Sequence, residues 1–105
     1  MVELSKDADL LACCMYKEYL SRRKNGLSKR QSILFEPDFK TTNPKISKWL
    51  SDDYFFTIGE LRRAGLIHTY LDGTAIFNDS FIIYMESRFK NGLMEITDFI
   101  AKFIP

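Results

Sequence analysis

Residues 60–78 read ELRRAGLIHTYLDGTAIFN, in which a helical pattern ends and two short runs of β-forming residues follow. The two runs lie on either side of Asp72-Gly73 and are rich in β-branched and aromatic side chains. Such a pair of runs around Asp-Gly predicts a β-hairpin closed by a two-residue type I′ turn. Apolar side chains at helical spacing, followed by Gly65, predict a helix over 52–64 directly before the hairpin.

The helix at 52–64 has an apolar face that is predicted to point inward, formed by Tyr54, Ile58, Leu61 and Ala64. Gly59 lies in the middle of this helix, where glycine costs about 1 kcal/mol relative to alanine. A glycine at such a position predicts a close approach between two helices.

The first part of the chain has the pattern of a long helix, capped by Ser5 and ending near Lys24, where Asn25-Gly26 follows. Apolar side chains cover most of the circumference of this helix. A helix of this kind is either central in the core or shared with a partner subunit.

Two short helices are predicted between the long helix and the helix before the hairpin. The first opens at a capping box, S-x-x-Q over 28–31, and ends near Phe35. Residues 36–42 are predicted to form a loop. The second helix opens at Asn43-Pro44 and runs to about residue 50. Its apolar face is formed by Ile46, Trp49 and Leu50.

After the hairpin, Asn78 or Asp79 begins a helix that Asn91-Gly92 ends, and a last helix follows within 92–105. This last helix carries one apolar stripe: Leu93, Ile96, Phe99, Ile100 and Phe103. The stripe either packs on the first helix of the same chain or forms the seam of a symmetric dimer. A chain of 105 residues with 14% aromatic side chains has more apolar surface than one small core hides, which favours a homodimer.

Two motifs in this order resemble those of the winged helix-turn-helix family. Residues 60–67 (ELRRAGLI) are similar to the E-L-x-x-x-G-L-I pattern that closes the third helix of winged-helix regulators. Residues 82–86 (IIYME) are similar to the helix that follows the wing in small bacterial members of the family, which include the YjcQ-like group. The resemblance covers residues 43–90. It implies one winged-helix domain over 1–105, mainly α-helical with a small β-hairpin and additional C-terminal helices. The helix at 28–35 departs from the family pattern.

The resemblance also implies DNA binding, with the helix at 52–64 in the major groove and the hairpin as the wing on the DNA backbone. The charges oppose this docking. The three carboxylates of the helix outnumber Arg62 and Arg63, and residues 66–79 contain no Lys or Arg. Binding to phosphates depends on basic side chains. Arg62 and Arg63 are candidates for base contact if the helix docks, and otherwise complement the helix dipole.

The basic residues are concentrated elsewhere in the chain. Fifteen Lys and Arg against fourteen Asp and Glu give a net charge of +1, but residues 22–48 hold eight cations and two carboxylates, a net charge of +6. Such a segment fits a nucleic-acid backbone or an acidic partner, although basic residues at 22–24 also complement a helix C-terminus. The candidate DNA-binding residues of this segment are Arg22, Arg23, Lys24, Lys29, Arg30, Lys45 and Lys48.

No motif for catalysis, a metal or a cofactor is present in the sequence. Cys13 and Cys14 are adjacent within an apolar run, which favours two small buried side chains over a disulfide. The only histidine, His68, lacks neighbours at catalytic or zinc-ligand spacing. There is no signal-peptide pattern and no apolar run of membrane-spanning length, which predicts a cytoplasmic protein without a membrane.

The sequence therefore predicts a non-catalytic, cytoplasmic winged-helix protein that binds double-stranded DNA as a homodimer. Its expected role is that of a small transcriptional regulator or accessory protein. The alternative is a winged-helix interaction module without DNA binding, which holds a protein partner through an acidic helix and apolar surface.

Overall fold

The computed structural model describes residues 2–103, which form six helices and three strands around one core. The helices are α1 Lys6–Lys24, α2 Lys29–Ile33, α3 Phe39–Thr42, α4 Ser51–Arg63, α5 Asp79–Arg88 and α6 Leu93–Ala101. The strands are β1 Leu34–Phe35, β2 Ile67–Thr69 and β3 Ala75–Phe77. The predicted class, mainly helical with a small β element, is confirmed. Residues 104 and 105 of the predicted last helix lie outside the described residues.

α1 is the centre of the core. The hydroxyl of Ser5 accepts the backbone N–H of Ala8 at 3.2 Å, and the helix ends at Asn25-Gly26 with a φ of 91° at Gly26. Eight residues of α1 are buried, and α2, α4 and α6 all pack against it. The apolar circumference of α1 is therefore covered by elements of its own chain.

A third strand, which the sequence does not predict, joins the hairpin. β1 pairs antiparallel with β3, with Leu34 opposite Ile76, so that the sheet order is β1-β3-β2. The predicted helix over 28–35 stops at Ile33, because Leu34 is already extended with a ψ of 127°. Two residues are too short a run to show a strand period, and their partners lie far along the chain. Only the tertiary structure can select this strand.

The hairpin is confirmed, but its turn is not of type I′. That turn needs a positive φ at both Asp72 and Gly73, and within residues 2–103 only glycines have one. The N–H of Tyr70 donates to the carbonyl of Thr74 at 2.9 Å, and the N–H of Gly73 donates to the carbonyl of Tyr70 at 3.0 Å. These bonds close a three-residue loop, with the positive φ of 93° on Gly73 alone.

The predicted helix at 43–50 is wrong, because residues 44–48 form turns. The N–H of Ile46 donates to the carbonyl of Asn43 at 3.2 Å, three residues back rather than the four of an α-helix. The side chain of Asn43 accepts the N–H of Lys45 at 3.0 Å, which makes an Asx turn and not a helix cap. The predicted loop before this segment contains the short helix α3 instead.

α6 packs on α1 of the same chain. Ile96 and Ile100, at the centre of the predicted dimer stripe, are 0% and 5% exposed. Leu93, Phe99 and Phe103 are half-buried at its edges. A dimer seam on this stripe would require the two isoleucines to leave the core, so the structure uses the centre of the stripe inside one protomer.

Candidate functional site

The connection between α1 and α2 carries four of the cations predicted to bind DNA. Arg23 and Lys24 end α1, Lys29 and Arg30 begin α2, and all four are exposed. None of them takes part in the two ion pairs that form within residues 2–103. Four cations within eight consecutive residues create a local positive potential at this end of the molecule. These four residues are called the basic surface below.

Arg22 belongs to the same run but is bound within the protein. Its Nε donates to the carboxylate of Glu18 at 2.9 Å, and its Nη1 donates to the carbonyl of Leu34 at 2.7 Å and to two carbonyls of α2 at 3.3 and 3.4 Å. The guanidinium carbon lies 4.4 Å from the centroid of the Phe35 ring. Arg22 therefore joins α1 to α2 and β1, and two of its three guanidinium nitrogens are already used within the protein.

Lys45 and Lys48 lie exposed on the turns before α4. Lys45 lines a surface groove together with Lys17 and Ser21 of α1. Lys17, Ser21 and Lys24 follow one another at helical spacing, so they share one side of α1. Lys17, which the sequence analysis did not select, therefore connects the basic surface to Lys45. Lys17 could have been selected from the sequence, because the helical period of α1 places it on the same side as Lys24.

Arg62 and Arg63 lie near the other end of α1. Glu60 of α4 accepts two hydrogen bonds from Ser5, one from its N–H and one from its hydroxyl, each at 2.7 Å. These bonds hold the end of α4 against the start of α1 and lower the pKa of the Glu60 carboxyl. From Ser5 to Arg23 the helix extends roughly 27 Å at 1.5 Å per residue. The predicted DNA-binding set is therefore divided between two distant places.

The exposed side of α4 and the tip of the hairpin form an apolar surface. Phe55 and Phe56 of α4 are 44% and 71% exposed, Tyr70 is 51% exposed, and Leu71 is fully exposed. A groove of about 310 Å³ runs between the two elements, with Arg62 in its wall. We call Phe55, Phe56, Tyr70 and Leu71 the α4–hairpin surface. Its helical half could have been found from the sequence, because both phenylalanines fall outside the inward face of the helix.

Gly59 lies beside these aromatic side chains, in the wall of the same groove. A Cβ atom at this position would meet only the side chain of Arg63 on the same helix, at 3.1 Å. The close helix–helix approach predicted at Gly59 is therefore not made by any element between residues 2 and 103.

The reactive side chains of the chain are either buried or isolated. Cys13 and Cys14 are free and buried, and burial raises the pKa of Cys13 to about 12 and that of Cys14 to about 11. Both are therefore thiols and not nucleophilic thiolates at neutral pH. His68 is exposed and contacts the ring of Tyr70 edge-on. No cluster of three or more metal-ligating side chains occurs in the described part of the chain.

No helix within residues 2–103 is long and apolar enough to cross a membrane. Comparison with models of protein families, with curated proteins and with solved structures finds no match for this chain. The surfaces of the molecule itself therefore carry the functional inference.

Proposed function

We propose that this chain is a non-catalytic winged-helix protein that binds double-stranded DNA through the basic surface, as a small regulator or accessory protein. One observation carries the proposal: the four cations Arg23, Lys24, Lys29 and Arg30 are exposed around a single helix connection, without a carboxylate partner among the described residues. Cations that neutralise DNA phosphates release condensed counterions, which supplies most of the affinity of non-specific binding.

The order of α4, the hairpin and α5, together with the small antiparallel sheet, supports the winged-helix interpretation. In that interpretation α4 is the recognition helix and the hairpin is the wing. α4 exposes two carboxylates beside Arg62 and Arg63, and the hairpin exposes no Lys or Arg, whereas four exposed cations lie together at the connection of α1 and α2. We therefore infer backbone contact through the basic surface, which positions the protein on DNA without reading its sequence.

A duplex titration tests the proposal. A labelled duplex is titrated with the protein at about 50 mM and about 200 mM salt, with fluorescence anisotropy as the readout. The test variant changes Arg23, Lys24, Lys29 and Arg30 to alanine and leaves Arg22 in place, because Arg22 holds α1, α2 and β1 together. We expect at least a tenfold loss of affinity and a shallower dependence on salt, since several phosphate contacts are lost.

The matched control changes four other exposed cations to alanine: Lys6, Arg62, Lys90 and Lys102. It lowers the net charge by the same amount as the test variant but leaves the basic surface intact. We expect it to keep most of the affinity. Equal losses in the two variants would show that only net charge matters, and the absence of binding at low salt would exclude DNA as the partner.

A second candidate, a winged-helix interaction module without DNA binding, is favoured by the α4–hairpin surface. Four large aromatic and aliphatic side chains are exposed there, and three of them, Phe55, Tyr70 and Leu71, line one groove, which is typical of protein contact sites. A failed duplex titration, together with a contact to a different protein that Leu71→Ser abolishes, would establish this function in place of the first.

A further inference from the structure

The exposed face of α4 is complementary to itself. Asp52, Phe56, Gly59 and Arg63 recur at intervals of four, three and four residues, so they form one stripe opposite the buried side of the helix. The stripe begins with a carboxylate, ends with a guanidinium, and has an exposed aromatic ring next to a glycine at its middle. Two such stripes in antiparallel orientation bring Asp52 to Arg63 and Phe56 to Gly59, and then do the same in reverse.

We propose that a second copy of this chain docks on this face, so that the protein is a homodimer with two antiparallel α4 helices at its centre. A two-fold symmetric interface requires a patch that complements itself. The stripe meets this requirement in charge, because each end pairs with the opposite charge of the other copy. It also meets it in shape, because the ring of Phe56 is 71% exposed and only the flexible end of Arg63 lies over Gly59 and near that ring. When this guanidinium turns to Asp52 of the other copy, Gly59 is left open to the partner's ring.

In this dimer Gly59 lies where the α4 helix of the other copy comes close, which is the close approach that a glycine inside a helix indicates. The partner helix can come close at this position because Gly59 has no side chain and the end of Arg63 that lies over it is free to turn away. Two antiparallel helices also place the positive end of one helix dipole beside the negative end of the other.

The size of the interface sets the expected affinity. α4 has 13 residues and extends about 20 Å, and Tyr70 and Leu71 widen the apolar area beside it. One helix pair with a hairpin tip lies at the small end of specific interfaces. We therefore expect a dissociation constant in the micromolar range, with monomer and dimer in exchange.

The variant Gly59→Ala separates association from folding. The added methyl group meets only the flexible end of Arg63 within the chain, and alanine is the better helix former. We expect the Tm of the monomer to rise, while the dimer weakens at least tenfold because the space for Phe56 is filled. A merely structural role of position 59 would not move these two readouts in opposite directions.

A charge exchange gives the decisive test, measured by sedimentation equilibrium of the full chain from about 1 µM to about 1 mM. Asp52→Arg and Arg63→Asp each place like charges at both contacts of the dimer, and each should weaken association about tenfold. An equimolar mixture of the two variants places opposite charges at both contacts, so the mixture should dimerise about as tightly as the wild type.

The control is Ile83→Asp on α5. Ile83 is an apolar side chain about as exposed as Phe56 but lies outside the α4 stripe, so this variant should leave the dimer unchanged. A wild-type chain that is monomeric over the whole range overturns the proposal and leaves the α4–hairpin surface to a different protein. A dimer that ignores Gly59→Ala, or a mixture of the charge variants that stays monomeric, overturns it as well. None of these measurements depends on DNA binding.

Discussion

Arg22 and Arg23 are neighbours with the same side chain, yet they point to different surroundings. One residue corresponds to about 100° around an α-helix, so α1 directs Arg22 towards α2 and β1, whereas Arg23 lies exposed and donates only to the carbonyl of Leu27, at 3.2 Å. A sum of charges along the sequence counts the two residues equally. The difference appears only when β1 supplies the carbonyl of Leu34 that Arg22 binds.

This difference predicts unequal effects on stability. Arg22→Ala removes charged hydrogen bonds in a partly buried place, so we expect it to lower the free energy of unfolding by about 2 kcal/mol. Arg23→Ala changes an exposed neighbour and should alter that free energy by less than about 0.5 kcal/mol. Urea unfolding of both variants is the measurement, and equal losses would contradict the structural role of Arg22.

At the level of elements, helices with local signals at both ends could be predicted from the sequence. α1 has Ser5 and Asn25-Gly26 at its ends, and α4 buries the predicted Tyr54, Ile58 and Leu61, although Ala64 of the predicted face is exposed just before Gly65. Elements that depend on distant partners could not be predicted. β1 exists only because β3 pairs with it. The residues after Asn43 form turns, although the sequence Asn43-Pro44 is also typical of a helix start.

The candidate site shows the same division. The basic surface could be predicted, because its four cations lie at two helix ends that are defined by local signals. Only the helical half of the α4–hairpin surface could be predicted, since the other half depends on how the loop at Leu71 lies beside the helix.

The contact between α1 and α4 makes the stability of the protein depend on pH. Two hydrogen bonds from Ser5 lower the pKa of Glu60. The folded state therefore binds this proton less readily than the unfolded state. The contribution is fully present above the ordinary pKa of a glutamate and is lost as the pH falls through the lower value in the folded protein.

We expect Glu60→Gln to reduce the loss of stability between about pH 5 and about pH 3, because this variant has no carboxylate to protonate. Urea unfolding across that pH range is the measurement. Ser5→Ala should cost about 1 kcal/mol through the lost helix cap and hydroxyl bond. A double-mutant cycle should show that the two substitutions are coupled. Identical pH profiles for Glu60→Gln and the wild type would contradict the assignment.

Across the whole molecule, the arrangement of charge matters more than its total. The chain has a net charge of +1 and a pI near 7.7, but the exposed cations of the basic surface lie together at one end of α1. At the other end carboxylates and cations are mixed, and Asp9 is paired with Arg88. Exposed charges farther apart than about 10 Å are screened from one another at ordinary salt. A charged partner therefore meets one end of the molecule and not its average.

Ion-exchange chromatography makes this polarity visible without any biological ligand. At about pH 8, slightly above the pI, a cation exchanger should still retain the wild-type chain, because the resin binds an oriented molecule through its basic end. The two quadruple alanine variants have equal net charge, yet the one without the basic surface should elute at lower salt. Elution of the two variants at the same salt concentration would show that retention depends only on the net charge. Retention on the column thus reports how the charges are distributed on a protein whose net charge is close to zero.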